Sequence, residues 1–248
     1  MIYFASDFHL GAPTLEQSQA REKRILAWLE HIEADMTELF LVGDVFDFWF
    51  EYTSVVPKGF LRLLGKLADL RAKGKIIHFF TGNHDIWMFS YLQEELGIAT
   101  YHAPIQIERG GKHFFIAHGD GLGPDDKGYK RLKKIFRNPF CQWLFKWLHP
   151  DIGTRLAAYL SRKSRAAQSH SPEKFLGKDK EWLYLYSERK STQIPQIDYF
   201  IFGHRHLPLD MPLNNGRSRY LNLGEWLNDD TYAVFDGQEL HLREWKMP

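Results

Sequence analysis

IDYFIFGHRHLP, residues 197–208, is a run of mostly apolar residues that ends in glycine and then sets two histidines one residue apart. An apolar stretch of this length reads as a buried strand. A hydrophobic core has no use for two imidazoles at its end, so they must face something polar. Four other stretches repeat the arrangement. IYFAS (2–6) leads to Asp7 and His9, and ELFLV (38–42) leads to Gly43-Asp44. HFFT (78–81) leads to Gly82-Asn83-His84-Asp85, and FFIA (114–117) to His118-Gly119-Asp120. Residues just past the C-terminal ends of neighbouring strands converge in space. The five motifs therefore predict one site along one edge of the sheet structure.

Around these strands the first hundred residues alternate strand and helix. Residues 16–33 carry Ile25, Leu26, Leu29 and Ile32 at helical spacing, and a second helical stretch over 58–73 stops at Gly74. A third is expected over IWMFSYLQEEL (86–96), ending at Gly97. The period then changes to two. QIERGGKHFFIAHGD (106–120) predicts a hairpin turning at Gly110-Gly111, and SRYLNLGEW, TYAVFDG and ELHLREW predict further strands near the C-terminus. Between residues 123 and 190 helical signals replace strands. Tyr129, Leu132, Ile135 and Phe136 share one face, Asn138-Pro139 is a cap followed by a proline at the first helical position, and Trp143, Leu144, Trp147 and Leu148 form an apolar stripe. This segment reads as a helical insertion in a β-rich domain.

The bulk composition narrows the class. The 248 residues carry a formal charge of +1, so no global field favours nucleic acid, and none is expected as a partner. The charge is uneven, however. Between Lys127 and Arg165 eleven basic residues face one acidic residue, Asp151, which leaves the remainder of the chain net acidic. Cys141 is the only cysteine, which rules out an internal disulfide and fits a reducing compartment. No signal-like segment and no run of roughly 18 apolar residues is present. The expectation is a cytoplasmic chain with no obligate protein partner.

The strand-end residues then define the chemistry. Three carboxylate or amide groups (Asp7, Asp44, Asn83) and four histidines (His9, His118, His204, His206) exceed the needs of one ion. Nitrogen and oxygen donors without thiolate suit Mn²⁺, Fe²⁺ or Zn²⁺. Two ions sharing a carboxylate suit displacement at phosphorus. Side chains two apart on an extended segment share a face, so His204 and His206 can each serve a different ion.

D-x-H, GD, GNHD, HGD and GH-x-H in this order resemble the calcineurin-like metallophosphoesterase superfamily. The resemblance implies an α/β class fold of α+β-like, four-layer form, a β-sandwich of mixed sheets flanked by helices. The core would be 1–122 and 191–248, with 123–190 as an inserted helical cap that binds lipid. It implies one ion held by Asp7, His9, Asp44 and His206, and a second by Asp44, Asn83, His118 and His204. It makes His84, oriented by Asp85, the catalytic residue that stabilises developing charge or protonates the leaving group.

DFHLG, GDVFDFW, HGDGLGPDDKGYK and the basic insertion are similar, more narrowly, to the UDP-2,3-diacylglucosamine pyrophosphatases of lipid A biosynthesis. That resemblance implies a Mn²⁺-dependent diphosphatase producing UMP and 2,3-diacylglucosamine 1-phosphate. It also implies a UDP-linked diacylated glucosamine lipid as substrate and peripheral attachment to the anionic cytoplasmic face of the inner membrane. Substrate contacts would fall to Asn83, His84, Asp126, Ser164, Gln168, His204 and Arg205. Two positions depart from the pattern. His84 stands where the best-known members carry arginine, and GHRH replaces the usual GHTH, so the diphosphate contact passes to His84 or to another basic residue such as Arg205. The alternative is a relative acting on another lipid-linked or nucleotide diphosphate.

Overall fold

A computed structural model describes residues 1–123, 127–157, 159 and 174–247 of the chain. The strands are β1 (Ile2–Ala5), β2 (Glu38–Val42), β3 (Ile76–Phe80), β4 (Ala99–Tyr101), β5 (Ile105–Arg109), β6 (Lys112–Ile116), β7 (Tyr199–Phe202), β8 (Pro208–Pro212), β9 (Arg219–Leu223), β10 (Thr231–Phe235) and β11 (Leu240–Glu244). They form a six-stranded sheet in the order β11-β10-β1-β2-β3-β4 and a five-stranded sheet in the order β5-β6-β7-β9-β8. Both sheets are mixed. The strands from β1 to β4 run parallel, as do β6, β7 and β9, while β10 pairs antiparallel with both β1 and β11, β5 with β6, and β8 with β9.

The near-continuous apolar runs follow from burial on both faces. Alternate residues of one strand divide between two cores. Phe4, Phe40, Val42 and Phe80 of the first sheet meet Phe114, Ile116, Tyr199 and Ile201 of the second in an inter-sheet core. Phe4 stacks on Phe40 at 5.0 Å and on Phe114 at 6.0 Å, so one ring touches both sheets. Tyr3, Ala5, Leu39, Leu41, Ile77 and Phe79 point the other way, toward helices α1 (Leu15–Ile32), α2 (Leu61–Ala72) and α3 (Tyr91–Leu96). On the far side Phe115, Phe200, Phe202 and Tyr220 meet Leu183 and Tyr184. The expected sandwich of mixed sheets between helical layers is thus the fold of the chain.

Local signals held at several ends. The Thr14 hydroxyl accepts from Gln17 N at 3.2 Å to open α1, and Gly74 follows α2 with φ of 80°. The hairpin pairs Arg109 with Lys112 around Gly110 and Gly111, both at positive φ as a two-residue turn of this kind requires.

Three readings need correction. Residues 86–90 are not helical, and only Tyr91–Leu96 is. Trp87 bridges to Phe50 in parallel, and the Glu51 carboxylate accepts from the Ser90 and Tyr91 amides, so tertiary pairing claims this apolar segment first. Strand β8 has no counterpart in the sequence reading. Its terminal prolines mark it as irregular from sequence, yet it lies at a sheet edge, where proline is tolerated. Finally, the insertion begins as helices α4 (Lys127–Phe136), α5 (Pro139–Lys146) and α6 (150–157), but α7 (Trp182–Gln193) packs on the outer face of the second sheet. Residues 182–190 belong to the core by packing, because their apolar face covers Phe115, Phe200 and Tyr220.

Candidate metal centre

The ends of β1, β2 and β3 in one sheet and of β6 and β7 in the other carry the motif residues to a common edge. To turn inward there, the chain departs from extended geometry abruptly. Asp7, His9, Asp44, His204 and His206 all have positive φ, between 45° and 70°. Left-handed backbone at residues bearing a β-carbon costs of order 1–3 kcal/mol each. Such strain persists only where the surrounding fold imposes it, and its concentration here marks the site. Room is as tight as the dihedrals. A β-carbon on Gly43 would collide with the His118 ring, and one on Gly82 with the Asp44 carboxylate.

Asp7, His9 and His206 form one group of ligand-type atoms, and Asp44, His118 and His204 another, each with all atoms within 4.8 Å of one another. In the first, His9 Nε2 and His206 Nε2 stand 3.1 Å apart. Asp7 Oδ1 is 3.2 Å from His206 Nε2 and 3.6 Å from His9 Nε2. In the second, His118 Nε2 lies 3.3 Å from Asp44 Oδ2 and 3.3 Å from Asn83 Oδ1. Asp44 Oδ2 also lies 4.0 Å from His9 Nε2, so this carboxylate faces both groups. Asp7, His9, Asp44 and His118 are buried. Buried nitrogen and oxygen donors gathered at two adjoining points, with one carboxylate between them, fit a pair of divalent ions.

The donors are held from behind, as metal ligands require. His118 Nδ1 lies 2.9 Å from the Val42 carbonyl. The His84 amide donates to Asp44 Oδ1 at 2.8 Å, and the His204 amide to Asp7 Oδ2 at 3.0 Å. Burial alone would raise Asp7 and Asp44, but the surrounding imidazoles hold both carboxyls well below the usual range. Burial likewise opposes a charged His118, which Asp44 nonetheless pushes up to about 10. His204 falls to about 4 through burial and the neighbouring His118. The carboxylates thus stay in their ligating form.

His84 lies beside these groups, forming a cluster with His9 and Asp44. The expectation that Asp85 orients it is corrected by the structure. Asp85 is fully buried and its carboxylate accepts from the backbone amides of Gly82 (2.7 Å), Val45 (2.9 Å) and Phe46 (3.4 Å), tying the GNHD loop to the GDVFD loop. His84 Nδ1 instead faces Asp47, 3.0 Å from its carbonyl and 3.5 Å from Oδ1. Asp47 also approaches His9 Nδ1 at 3.8 Å. Sequence reasoning passed over Asp47, though it stands in the quoted GDVFD stretch three residues after Asp44. Leu10 bridges to Phe46, which brings the next residue over the site.

Of the expected substrate contacts, Asn83, His84 and His204 gather at the centre. Arg205 turns to Glu181, with Nε at 3.2 and 3.3 Å from its two oxygens. Asp126, Ser164 and Gln168 lie outside the described residues. The insertion also reaches the centre through a residue not singled out before. Lys133 of α4 pairs with the buried Asp120, two residues past His118, and donates to its carbonyl at 3.0 Å.

Sandwich and centre together define a metallophosphoesterase, and the calcineurin-like phosphoesterase family profile matches residues 1–208. The chain belongs to that family. Within it, the chain is 41% identical to the UDP-2,3-diacylglucosamine hydrolase of Porphyromonas gingivalis, over 97% of this chain and 96% of that one. The hydrolase of the same name from Photorhabdus laumondii is 28% identical over 90% of each chain. Among solved structures, a hypothetical protein from Pyrococcus horikoshii shares the fold with a TM-score of 0.50 at 12% identity, covering 100% of this chain and 89% of that one.

Proposed function

We propose that this hydrolase cleaves the diphosphate of UDP-2,3-diacylglucosamine, giving UMP and 2,3-diacylglucosamine 1-phosphate, a step of lipid A biosynthesis. The observation that carries the reading is the pair of ligand clusters meeting at Asp44, in a chain matched almost end to end by a hydrolase of that name. Asp7, His9, Asp44 and His206 would hold one ion, and Asp44, Asn83, His118 and His204 the other, with Mn²⁺ the preferred occupant and Fe²⁺ or Zn²⁺ alternatives. Divalent ions there supply Lewis-acid activation of water and neutralise charge at phosphorus.

The protein's own groups do the rest. Asp47 accepts from His84 Nδ1, which leaves Nε2 as the atom that can carry a proton to the leaving phosphate oxygen. Burial lowers the His84 pKa, which favours the neutral ring at rest, so a proton that Nε2 takes up from solvent is readily passed on to the leaving oxygen. The insertion suits the acylated end of the substrate. Phe140, Trp143, Leu144, Trp147, Ile152 and Leu156 are exposed there beside Arg131, Lys134, Arg137, Lys146 and Arg155. Apolar side chains flanked by cations suit acyl chains and the anionic headgroups of a bilayer, supporting a lipid-binding cap and peripheral attachment. No helix among the described residues is long and apolar enough to cross a membrane. The site is placed at the cytoplasmic face of the inner membrane under this reading.

Incubation with Mn²⁺ and detergent-dispersed UDP-2,3-diacylglucosamine in ¹⁸O-water, followed by mass spectrometry, tests it. Labelled UMP is expected. An intact substrate alongside cleavage of a simple phosphodiester would leave the family and remove this substrate.

A further inference from the structure

Arg205 lies between two histidines read as ligands of different ions, and its Nε donates to Glu181, at 3.2 and 3.3 Å from the two carboxylate oxygens. Glu181 is 2% exposed and stands at the N-cap of α7, where a carboxylate complements the helix dipole. It also accepts from Tyr220 Oη at 3.4 Å. Two residues along the same face of β9, Asn222 Nδ2 donates to the carbonyl of Gly203, which opens the GHRH loop. Trp182, next to Glu181, sets its indole edge to face against the His204 ring at 5.9 Å. The loop thus meets one strand face and one helix start, and both hold it through residues outside the ligand set.

The loop needs such a grip. His204 and His206 both have left-handed backbone, at φ of 70° and 49°, and the Arg205 amide closes a tight turn onto Gly203 O at 2.8 Å. Left-handed backbone is uncommon for any residue bearing a β-carbon, even histidine, which adopts it more often than most, and here two such residues stand one apart. A guanidinium anchored on a buried carboxylate supplies a rigid, directional hold that a flexible ammonium does not.

We propose that Arg205 is a positioning residue, locked to Glu181 so that the strained loop presents His204 to one ion and His206 to the other. The proposal rests on the reading of these histidines as ligands. It removes Arg205 from the candidate substrate contacts and makes the helix start at Glu181 part of the centre's support.

Calorimetric titration of the full chain with Mn²⁺, together with thermal melting of the metal-free protein, tests it. Arg205→Thr is expected to weaken Mn²⁺ binding by about 10–100-fold, the usual effect of removing a group that orients a ligand, and to lower the melting temperature. Arg205→Lys, which keeps the charge but not the planar geometry, should fall between. Arg205→Thr/Glu181→Gln removes the buried unpaired charge, and serves also should the single variant fail to fold. It should restore melting while the Mn²⁺ affinity stays depressed. Recovery of both would mean that Arg205 only neutralises Glu181 and would overturn the proposal. Unchanged Mn²⁺ affinity in Arg205→Thr, with a raised KM for a phosphodiester, would overturn it in favour of a substrate contact. A wild-type chain that takes up fewer than two ions would overturn the reading of the centre and the brace with it.

Discussion

Trp87 Nε1 donates to the Phe136 carbonyl at 2.8 Å, joining the loop that carries Asn83 and His84 to the first helix of the insertion. The same indole packs against Phe50 (5.2 Å), Phe136 (5.1 Å) and Phe145 (4.7 Å). Trp87→Phe keeps a ring in that cluster and loses only the donor, while Gln142 Nε2 still serves the same carbonyl. A neutral hydrogen bond contributes about 1 kcal/mol, so the melting temperature should fall by about 2–4 °C. A variant melting with the wild type would show that the rings alone hold the insertion.

Asp44 faces both ligand groups, so Asp44→Ala should cost both ions rather than one. Elemental analysis after dialysis is expected to find neither retained, with turnover at background. Retention of a single ion would show that the two cradles load independently of this carboxylate.

His84→Ala should leave metal content unchanged and lower kcat by roughly 10²–10⁴, the range for loss of a general acid. Asp47→Ala removes the carboxylate 3.5 Å from the same ring but keeps the carbonyl that Nδ1 meets, so it is expected to lower kcat in the same direction by less than His84→Ala. Loss of metal in His84→Ala would make it a ligand.

Trp143 and Trp147 are 52% and 76% exposed, their rings 6.0 Å apart. Replacing both with serine should raise KM for the diacylated substrate while sparing a small chromogenic phosphodiester. Equal loss on both substrates would remove the insertion from lipid recognition.

Far from the centre, Glu38 is hydrogen-bonded by His78 (3.2 Å) and Arg109 (2.7 Å). Burial opposes its charge, but these partners hold its pKa at about 2, against an ordinary 4.5. Between those values the unfolded chain binds the proton and the folded chain does not, so stability falls as pH drops through this window. Glu38→Gln should therefore show a shallower loss of stability between pH 4.5 and 2, measured by urea unfolding. A parallel pH profile would mean that other carboxylates dominate acid unfolding.

The strand ends were legible because two independent signals coincide there: an apolar run, and an abrupt change to Asp, His and Asn. That is why Asp7, His9, Asp44, Asn83, His118, His204 and His206 stand out in the sequence as one candidate set. What stayed hidden depended on the path of the chain afterwards. Asp85 was paired with its neighbour His84, but three backbone amides from two loops took its carboxylate. Asp47 reaches the site only because Phe46 bridges to Leu10. Residues 86–90 are apolar without a clear period, and their pairing with Phe50 and Glu51 is long-range. The core position of α7 depends on Phe115, Phe200 and Tyr220, which flank it nowhere in the sequence.

Each cradle draws on both sheets. Asp7 and His9 follow β1 while His206 follows β7, and Asp44 follows β2 while His118 and His204 follow β6 and β7. Coordination bonds would therefore cross the sandwich at the end where the rings of Phe4, Phe40 and Phe114 no longer reach. Loaded ions would act as rivets between two plates. Sliding of one sheet over the other would then break ligation, so the loaded pair would hold both sheets in a single register.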